Sequence, residues 1–562
     1  MSMFQTLQPG LWRRWIVYLL GMVIIALLFF ILALPIAEML IGAFLPNKRA
    51  FSFSNLSLVN FQRFLTATNY KAALSNSLII SLSSAAIATL LAIPAAFALS
   101  RIRIPLAGVI MALFVVPLVA PPFVGAYAWI ILLGKNGIVT HILQSAFGVT
   151  LPSIYGHFGV ILALSLSLVP YVVLIAQGAL AAGDPRIEES AHVMGASRAH
   201  IFRTVTLPLM TPAISAAMLI VFIKALGNFG VPAILGGEIY VLPTLIYFQV
   251  HGFFNLNAAA AIAIIDLIIA GMALWILALV NRKNRFVTVT GSARRTERIE
   301  GFNARFFGNL YVWILLVATL LPQAVVVWTS FSEHWAGTLL PTAYGMANYF
   351  RIYDGLLQPF ANSAILAISA TIITILVTLS AYALMRAAPA FRWAIESMIL
   401  LPFVVSGVVT GVAFLVAFNA PPIILTGTAA ILILAYVTRR IAFVFRTVSA
   451  SLAQIDPRIE EASLICGAGI IGTIRRVTIP LVAPGILSGA IIVLVTLITE
   501  MSVTILLYSA RWKTISIAIY ERLLNDDLPA AAAIGTVTIV FTMILVYGAG
   551  KLAGRTMAEM FR

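Results

Sequence analysis

The residues with the most chemistry to offer lie in two matched loops. Residues 184–212 read DPRIEESAHVMGASRAHIFRTVTLPLMTP and residues 456–484 read DPRIEEASLICGAGIIGTIRRVTIPLVAP, and the two align without a gap. In each loop an aspartate (Asp184, Asp456) and two glutamates (Glu188 and Glu189, Glu460 and Glu461) open a helical stretch, where carboxylates complement the helix dipole. Arg186 and Arg203 flank the first stretch, Arg458 and Arg475 the second. Gly195 and Gly467 are expected to interrupt the helix interior, at about 1 kcal/mol relative to alanine, for a turn or for the close approach of another body. Pro208 and Pro480 mark the entry to the next apolar run, since proline suits a first helical turn and disfavours helix before it. The pattern predicts a short surface helix turned across one face of the protein and exposed to a partner. An interfacial helix resting on lipid headgroups is the competing reading, but four glutamates would be repelled by anionic lipid.

Other site chemistries lack their residues. A phosphate-binding loop needs GxxxxGK[ST]; Gly134-Lys135 and Gly550-Lys551 have neither the upstream glycine nor the following hydroxyl, so no ATP chemistry is expected of this chain. A single cysteine, Cys466, excludes an intrachain disulfide, a cysteine zinc cluster and a cysteine-ligated iron–sulfur site. No histidine cluster suits a metal, and no resident cofactor or metal is expected.

Ionisable side chains inside apolar runs are costly, which makes them candidates for a transport pathway or gate. Lys224, Asp266, Glu396 and Glu500 qualify, and Asn228 aligns with Glu500 through the loop repeat. Helix–helix hydrogen bonds, or snorkelling to water, are the bland alternative. Arg439 and Arg440 read as anchors near the inner end of the tenth run. Pro117, Pro121 and Pro122 should bend or unwind the third, and Asn419 to Pro422 offers a comparable but unaligned break in the second half.

These residues must be positioned by membrane helices. Of 562 residues 62% are hydrophobic and 10% charged, with a mean hydropathy of +1.05, too few ionisable groups to cover a water-soluble surface of this size. The net charge of +16 is scattered in short clusters between apolar runs, the pattern of membrane flanks and not of a nucleic-acid-binding stripe. Apolar segments near 16–43, 76–99, 106–130, 155–180, 208–230, 258–280, 308–330, 363–385, 394–417, 422–445, 481–508 and 529–551 predict an all-α polytopic membrane protein of about twelve spans. The first run, behind Arg13 and Arg14, is too long for a cleaved signal peptide. Most of the 35 Lys and Arg residues fall on the side that holds both loops, which predicts a cytoplasmic location for both termini.

Residues 281–306 form the one extended polar stretch and read as a cytoplasmic linker between a first transmembrane domain, 1–280, and a second, 307–562. Weaker echoes support the duplication: Asn60-Phe61 with Asn348-Tyr349, Asn76-Ser77 with Asn362-Ser363, and FALSR ending at Arg101 with YALMR ending at Arg386. Two repeats of six spans keep the same orientation, and the substrate path should run between them.

The two loops resemble the EAA signature of the membrane subunits of ATP-binding cassette importers: Glu-Ala-Ala, three residues, Gly, then nine residues to a hydrophobic-x-hydrophobic-Pro ending. Glu189, Ser190, Ala191, Gly195, Val205, Leu207 and Pro208 fit it, as do Glu461, Ala462, Ser463, Gly467, Val477, Ile479 and Pro480, each copy with one serine for alanine. The resemblance covers essentially the whole chain. It implies the type I importer permease fold and places the chain nearest the fused two-half permeases for ferric iron, with relatives for aminoethylphosphonate, other small anions, thiamine and polyamines. It further implies a bacterial inner-membrane location, two cytoplasmic ATPase subunits, expected as a homodimer, that use ATP and Mg, and an extracytoplasmic solute-binding protein. An ion-coupled secondary transporter, with Asp266 and Glu500 as carriers, is the alternative from another class; it has no need of a docking loop kept twice.

Overall fold

At membrane depth no water satisfies backbone N–H and C=O groups, so a chain this apolar has to close its hydrogen bonds within helices. A computed structural model, describing residues 22–46, 53–283, 301–335, 340–452 and 455–552, is helical nearly throughout. Among the described residues the one sheet pairs Ser332–His334 with Ala343–Tyr344. Arg13 and Arg14, and residues 284–300 of the expected linker, lie outside the described residues.

The first half comprises α1 (Leu34–Ala43, continuing a helix from Met22), α2 (Thr68–Arg101), α3 (Ala107–Val119), α4 (Pro122–Leu133), α5 (His157–Ala182), α6 (Pro185–Val193), α7 (Leu207–Leu226) and α8 (Leu256–Lys283). In the second half α9 (Phe302–Ser330), α10 (Ala347–Ala387), α11 (Arg392–Leu400), α12 (Gly407–Phe418), α13 (Ala429–Leu452), α14 (Pro457–Ile465), α15 (Ile479–Ile498) and α16 (Leu528–Leu552) repeat the order. The ends of the expected linker are therefore helical, since α8 runs to Lys283 and α9 starts at Phe302.

Among the described residues ten helices are long and apolar enough to cross a membrane, against about twelve expected spans. The expected ninth span is divided between α11 and α12, and the tenth, α13, is interrupted by Arg439, Arg440 and Arg446. The third is also divided, between α3 and α4 at Ala120-Pro121. The matching break in the second half is at Leu401–Ser406, in register with the first by the offset that relates Arg101 to Arg386. Asn419 to Pro422 lies beyond the end of α12, so the expected second break was misplaced. Pro402 opens the second break, where proline removes an N–H and crowds the preceding turn; its equivalent Pro117 is carried within α3, and the first break falls at Pro121.

The sequence echoes have identical structural work. Asn60 Nδ2 donates to the Ala43 and Leu45 carbonyls at 3.0 Å each, and Asn348 Nδ2 to those of Ser330 and Ser332 at 3.1 and 2.7 Å. Both asparagines pin the chain that leaves the first helix of their half. Ser77 Oγ accepts from the Leu242 amide and Ser363 Oγ from that of Ile515, each at 2.8 Å, fixing the starts of the short helices Leu242–His251 and Ile515–Leu524.

Packing interlocks the halves. Within each, α2 lies on α5 and α10 on α13. Across them, α1 and α8 pack on α12, while α9 and α16 pack on α3 and α4. Each half thus holds the interrupted span of the other, and both breaks sit at the seam.

Candidate functional site

Two arrangements follow from this frame, one on the face that carries the loops and one at the seam. On the loop face, Asp184 caps α6 by accepting the Arg186 amide at 3.0 Å, and Asp456 caps α14 through the Arg458 amide at 3.0 Å. An aspartate cap ahead of a first-turn proline is a strong helix start. Both helices end at glycines, with φ of +87° at Gly195 and +86° at Gly467. The glycines therefore stand just past the helix, in the left-handed conformation that ends it, and not in its interior as expected. Pro208 and Pro480 do sit in the first turn of α7 and α15, but helix persists before them through a one-turn π-bulge at Phe202–Thr206 and Ile474–Thr478. The wider turn accommodates the missing proline N–H. Arg203 and Arg475 are exposed on these bulges.

The two glutamates of each loop point differently. Glu189 and Glu461 are exposed. Glu188 turns inward: its Oε1 accepts from Arg101 Nη2 at 2.8 Å and Thr206 Oγ1 at 3.0 Å. Glu460 repeats this with Arg386, with Thr478 Oγ1 at 2.8 Å and with the Tyr382 hydroxyl at 3.3 Å. One carboxylate thus ties each loop helix to the end of α2 or α10 and to the bulge leading into α7 or α15. Arg101, Arg386, Thr206 and Thr478 were missed as site residues, although FALSR and YALMR end on the two arginines. Outward, the loops leave apolar side chains in the open: Val193 and Met194 are 87% exposed, and Ile465 83%.

At the seam the structure gathers four of the five pathway candidates. Asp266 on α8 is 1% exposed; its carboxyl faces the Ser406 hydroxyl, and Oδ1 has no hydrogen-bond partner. Ser406 ends the break before α12 and caps it at the Val409 amide, 3.4 Å away. Gly227, beside Asn228, packs on Ser406 so closely that a Cβ would come within 2.6 Å. Asn228 Oδ1 accepts from the Val231 amide at 2.9 Å, and Glu500 Oε1 from the equivalent Val503 amide at 3.5 Å. Glu500 Oε2 also accepts from Arg439 Nε at 3.2 Å and Arg440 Nη2 at 2.7 Å. Ten residues into the 24-residue α13, Arg439 lies roughly 15 Å from the helix start and roughly 20 Å from its loop-side end at Leu452. The two arginines are therefore not anchors at the inner end, as their sequence position suggested.

Lys224 places its Nζ 4.7 Å from the Tyr171 ring centre, and Arg440 stacks at 5.7 Å over Phe443, the residue aligned with Tyr171. Glu396 does not join this group: it pairs with Arg392 at 2.8 Å on the outer side of α11. Among the described residues no three His, Cys, Asp or Glu side chains gather as a metal site.

Spans that break where two interlocked halves meet, with a short capped surface helix in each half, fit a membrane transport subunit. A family model described as binding-protein-dependent transport system inner membrane component matches residues 88–286 and 383–558, and the chain belongs to that family, as a fused two-half permease of the ABC importer kind. A ferric transport system permease protein of Actinobacillus pleuropneumoniae is 29% identical over 541 residues, 95% of this chain and 78% of that protein. A putative ferric transport system permease protein of Haemophilus influenzae is 30% identical over 495 residues, 87% and 77% of the two chains. Over one half, a putative 2-aminoethylphosphonate transport system permease protein of Salmonella paratyphi A is 26% identical across 245 residues, 43% of this chain and 92% of the relative.

Proposed function

We propose that this chain is the translocation subunit of a bacterial importer for ferric iron, driven by ATP hydrolysis in partner chains. In this reading α6 and α14 are coupling helices seated on two identical cytoplasmic ATPase subunits, which alone use ATP and Mg. Asp184, Arg186, Glu189, Gly195, Arg203 and Pro208, with Asp456, Arg458, Glu461, Gly467, Arg475 and Pro480, shape the docking surface, while Glu188 and Glu460 fasten it to the spans. Both termini and the stretch between the two transmembrane domains lie in the cytoplasm of an inner-membrane protein. A solute-binding protein delivers cargo on the opposite face. This chain binds no cofactor.

The observation that carries the reading is the pair of helices with equivalent caps, end glycines and inward clamps, each presenting open apolar side chains to a partner. The iron assignment rests on the names of the relatives. A second cargo class, a phosphonate or other small anion, is favoured by the two arginines at the seam.

Replacing Val193 and Ile465 by Asp tests the docking role, because both side chains are exposed and the fold does not depend on them. The expected result is loss of ATPase co-purification and a tenfold or greater fall in uptake, with the permease still present in the membrane. Uptake that persists without an associated ATPase and collapses when the proton gradient is dissipated would instead establish ion-coupled transport.

A further inference from the structure

The loop repeat provides an internal control for the charges at the seam. In gapless alignment Arg439 corresponds to Ser167, Arg440 to Leu168 and Glu500 to Asn228. Asn228 caps the following turn as Glu500 does, so capping needs no carboxylate. Neutral residues serve the same positions in the first half, and the fold therefore does not require the Arg–Glu–Arg cluster of the second.

As an ion pair the cluster is unbalanced. One carboxylate serves two guanidinium groups at membrane depth, where an uncompensated charge is expensive. Every charged group packed at the seam adds to the count: Lys224 over Tyr171, and Asp266 facing Ser406. Three cations then stand against two carboxylates. Arg440 is held by Glu500 and by the Thr496 carbonyl, 3.5 Å from its Nη2. Arg439 is held through Nε alone; among the described residues its terminal nitrogens make no hydrogen bond, and its side chain retains 20% exposure.

That free fork has a definite location. It lies against Gly407, the first residue of α12, where an added Cβ would come within 3.0 Å of Nη1 and 2.6 Å of the Ser502 Cβ. Gly407 thus lets the guanidinium reach the start of a 12-residue helix, itself the positive end of a dipole. Two positive elements converge at the break in a span, where the halves meet. A guanidinium fork matches the paired oxygens of a carboxylate, phosphonate or phosphate, and interrupted helices in transporters direct their N-termini at anionic groups of the cargo.

We infer that Arg439, with α12 behind it, is a passage site for an oxyanion group of the cargo, and that Glu500 is the counter-ion the group displaces. This rests on the importer reading and narrows its cargo: what crosses the seam bears an anionic oxygen group, either as a free oxyanion or as a ligand still bound to ferric iron.

The test compares wild type, Arg439→Gln, Arg439→Lys, Glu500→Gln and the double Arg439→Gln/Glu500→Gln chain in cells carrying the whole importer, at matched membrane abundance. Labelled ferric iron supplied as its citrate complex and labelled 2-aminoethylphosphonate are the probes. Arg439→Gln should cut uptake of whichever label wild type imports at least tenfold. Arg439→Lys, keeping charge without the fork, should fall between, and the double variant should be no better than Arg439→Gln. Import of phosphonate identifies the oxyanion as the cargo, and import of iron identifies it as the metal's ligand. A purely structural cluster gives another order: Arg439→Gln, which leaves the balanced Arg440–Glu500 pair, would keep uptake near wild type, Glu500→Gln, stranding two arginines, would be the most harmful, and the double variant, stranding Arg440 alone, would fall between. That order, or full uptake in Arg439→Gln, overturns the inference. Failure of the importer reading shows separately, as the absence of an ATPase from the wild-type complex.

Discussion

The loop clamps and the seam descend from the same duplication but have been treated differently. On the loop face the two halves keep equivalent residues in equivalent bonds: Glu188 with Arg101 and Thr206, Glu460 with Arg386 and Thr478. At the seam the backbone break is retained in register while the side chains diverge, Ser167 and Asn228 in the first half standing where the second has Arg439 and Glu500. The difference teaches which parts answer to a symmetric demand. In the proposed importer, two identical ATPase subunits would pull on both loops alike, so both would need the same fastening. A single small cargo passing between the halves meets one surface at a time, and nothing requires the two surfaces to match.

Breaking a clamp should have the largest effect on stability, and an unequal one. The two glutamates are both mostly covered, Glu188 at 21% and Glu460 at 15% side-chain exposure, but Arg101 is 7% exposed and Arg386 48%. Either substitution strands a covered carboxylate, at about 3 kcal/mol where the pair is buried; Arg101→Ala also removes a buried side chain, whereas solvent screens more of the pair that Arg386 makes. Arg101→Ala should therefore lower the unfolding temperature of the detergent-solubilised permease clearly more than Arg386→Ala. Both should reduce uptake per ATP hydrolysed while the ATPase stays bound. Equal shifts in the two variants would mean that burial does not distinguish the clamps.

A sharper test of the seam is Gly407→Ala. The added methyl meets the Ser502 side chain and the Arg439 guanidinium at once, and overpacking of this kind costs about 2 kcal/mol. In the first half the equivalent position is Pro122, and Ser167 stands where the second half has Arg439. If Gly407→Ala in a chain that also carries Arg439→Ala remains as unstable as Gly407→Ala alone, Ser502 and not the guanidinium sets the constraint. Thermal unfolding of the three variants decides the matter.

The parts of this organisation legible in the sequence were those written in local chemistry. Helix starts at Asp184 and Asp456 follow from an acidic cap before proline, and the repeat is visible as text. Contacts between distant segments were not legible. Nothing local to Glu188 distinguishes it from Glu189, yet one is clamped to a helix that ended 87 residues earlier and the other is open. Arg439 and Arg440 were mistaken for anchors because sequence distance to the next polar loop is a poor measure of depth when α13 runs on to Leu452. Likewise Pro421 and Pro422 drew attention as a proline pair, while the working break needed only Pro402.

The smallest expected effect bears on the symmetric side of the comparison. Gly195 and Gly467 have nearly equal left-handed φ, and a Cβ at either would meet nothing within 4 Å. Substitution by alanine therefore tests backbone strain without any clash, at about 1 kcal/mol in each half. The cost should appear as equal, small decreases in unfolding temperature for Gly195→Ala and Gly467→Ala, and as their sum in the double variant, since the two turns share no partner. Asparagine, which tolerates this conformation better, should recover part of the loss at both positions. If one glycine proves far more sensitive than the other while the ATPase is bound, the turns are not equivalent in the assembled complex. The motor would then grip the two halves differently despite their matching clamps.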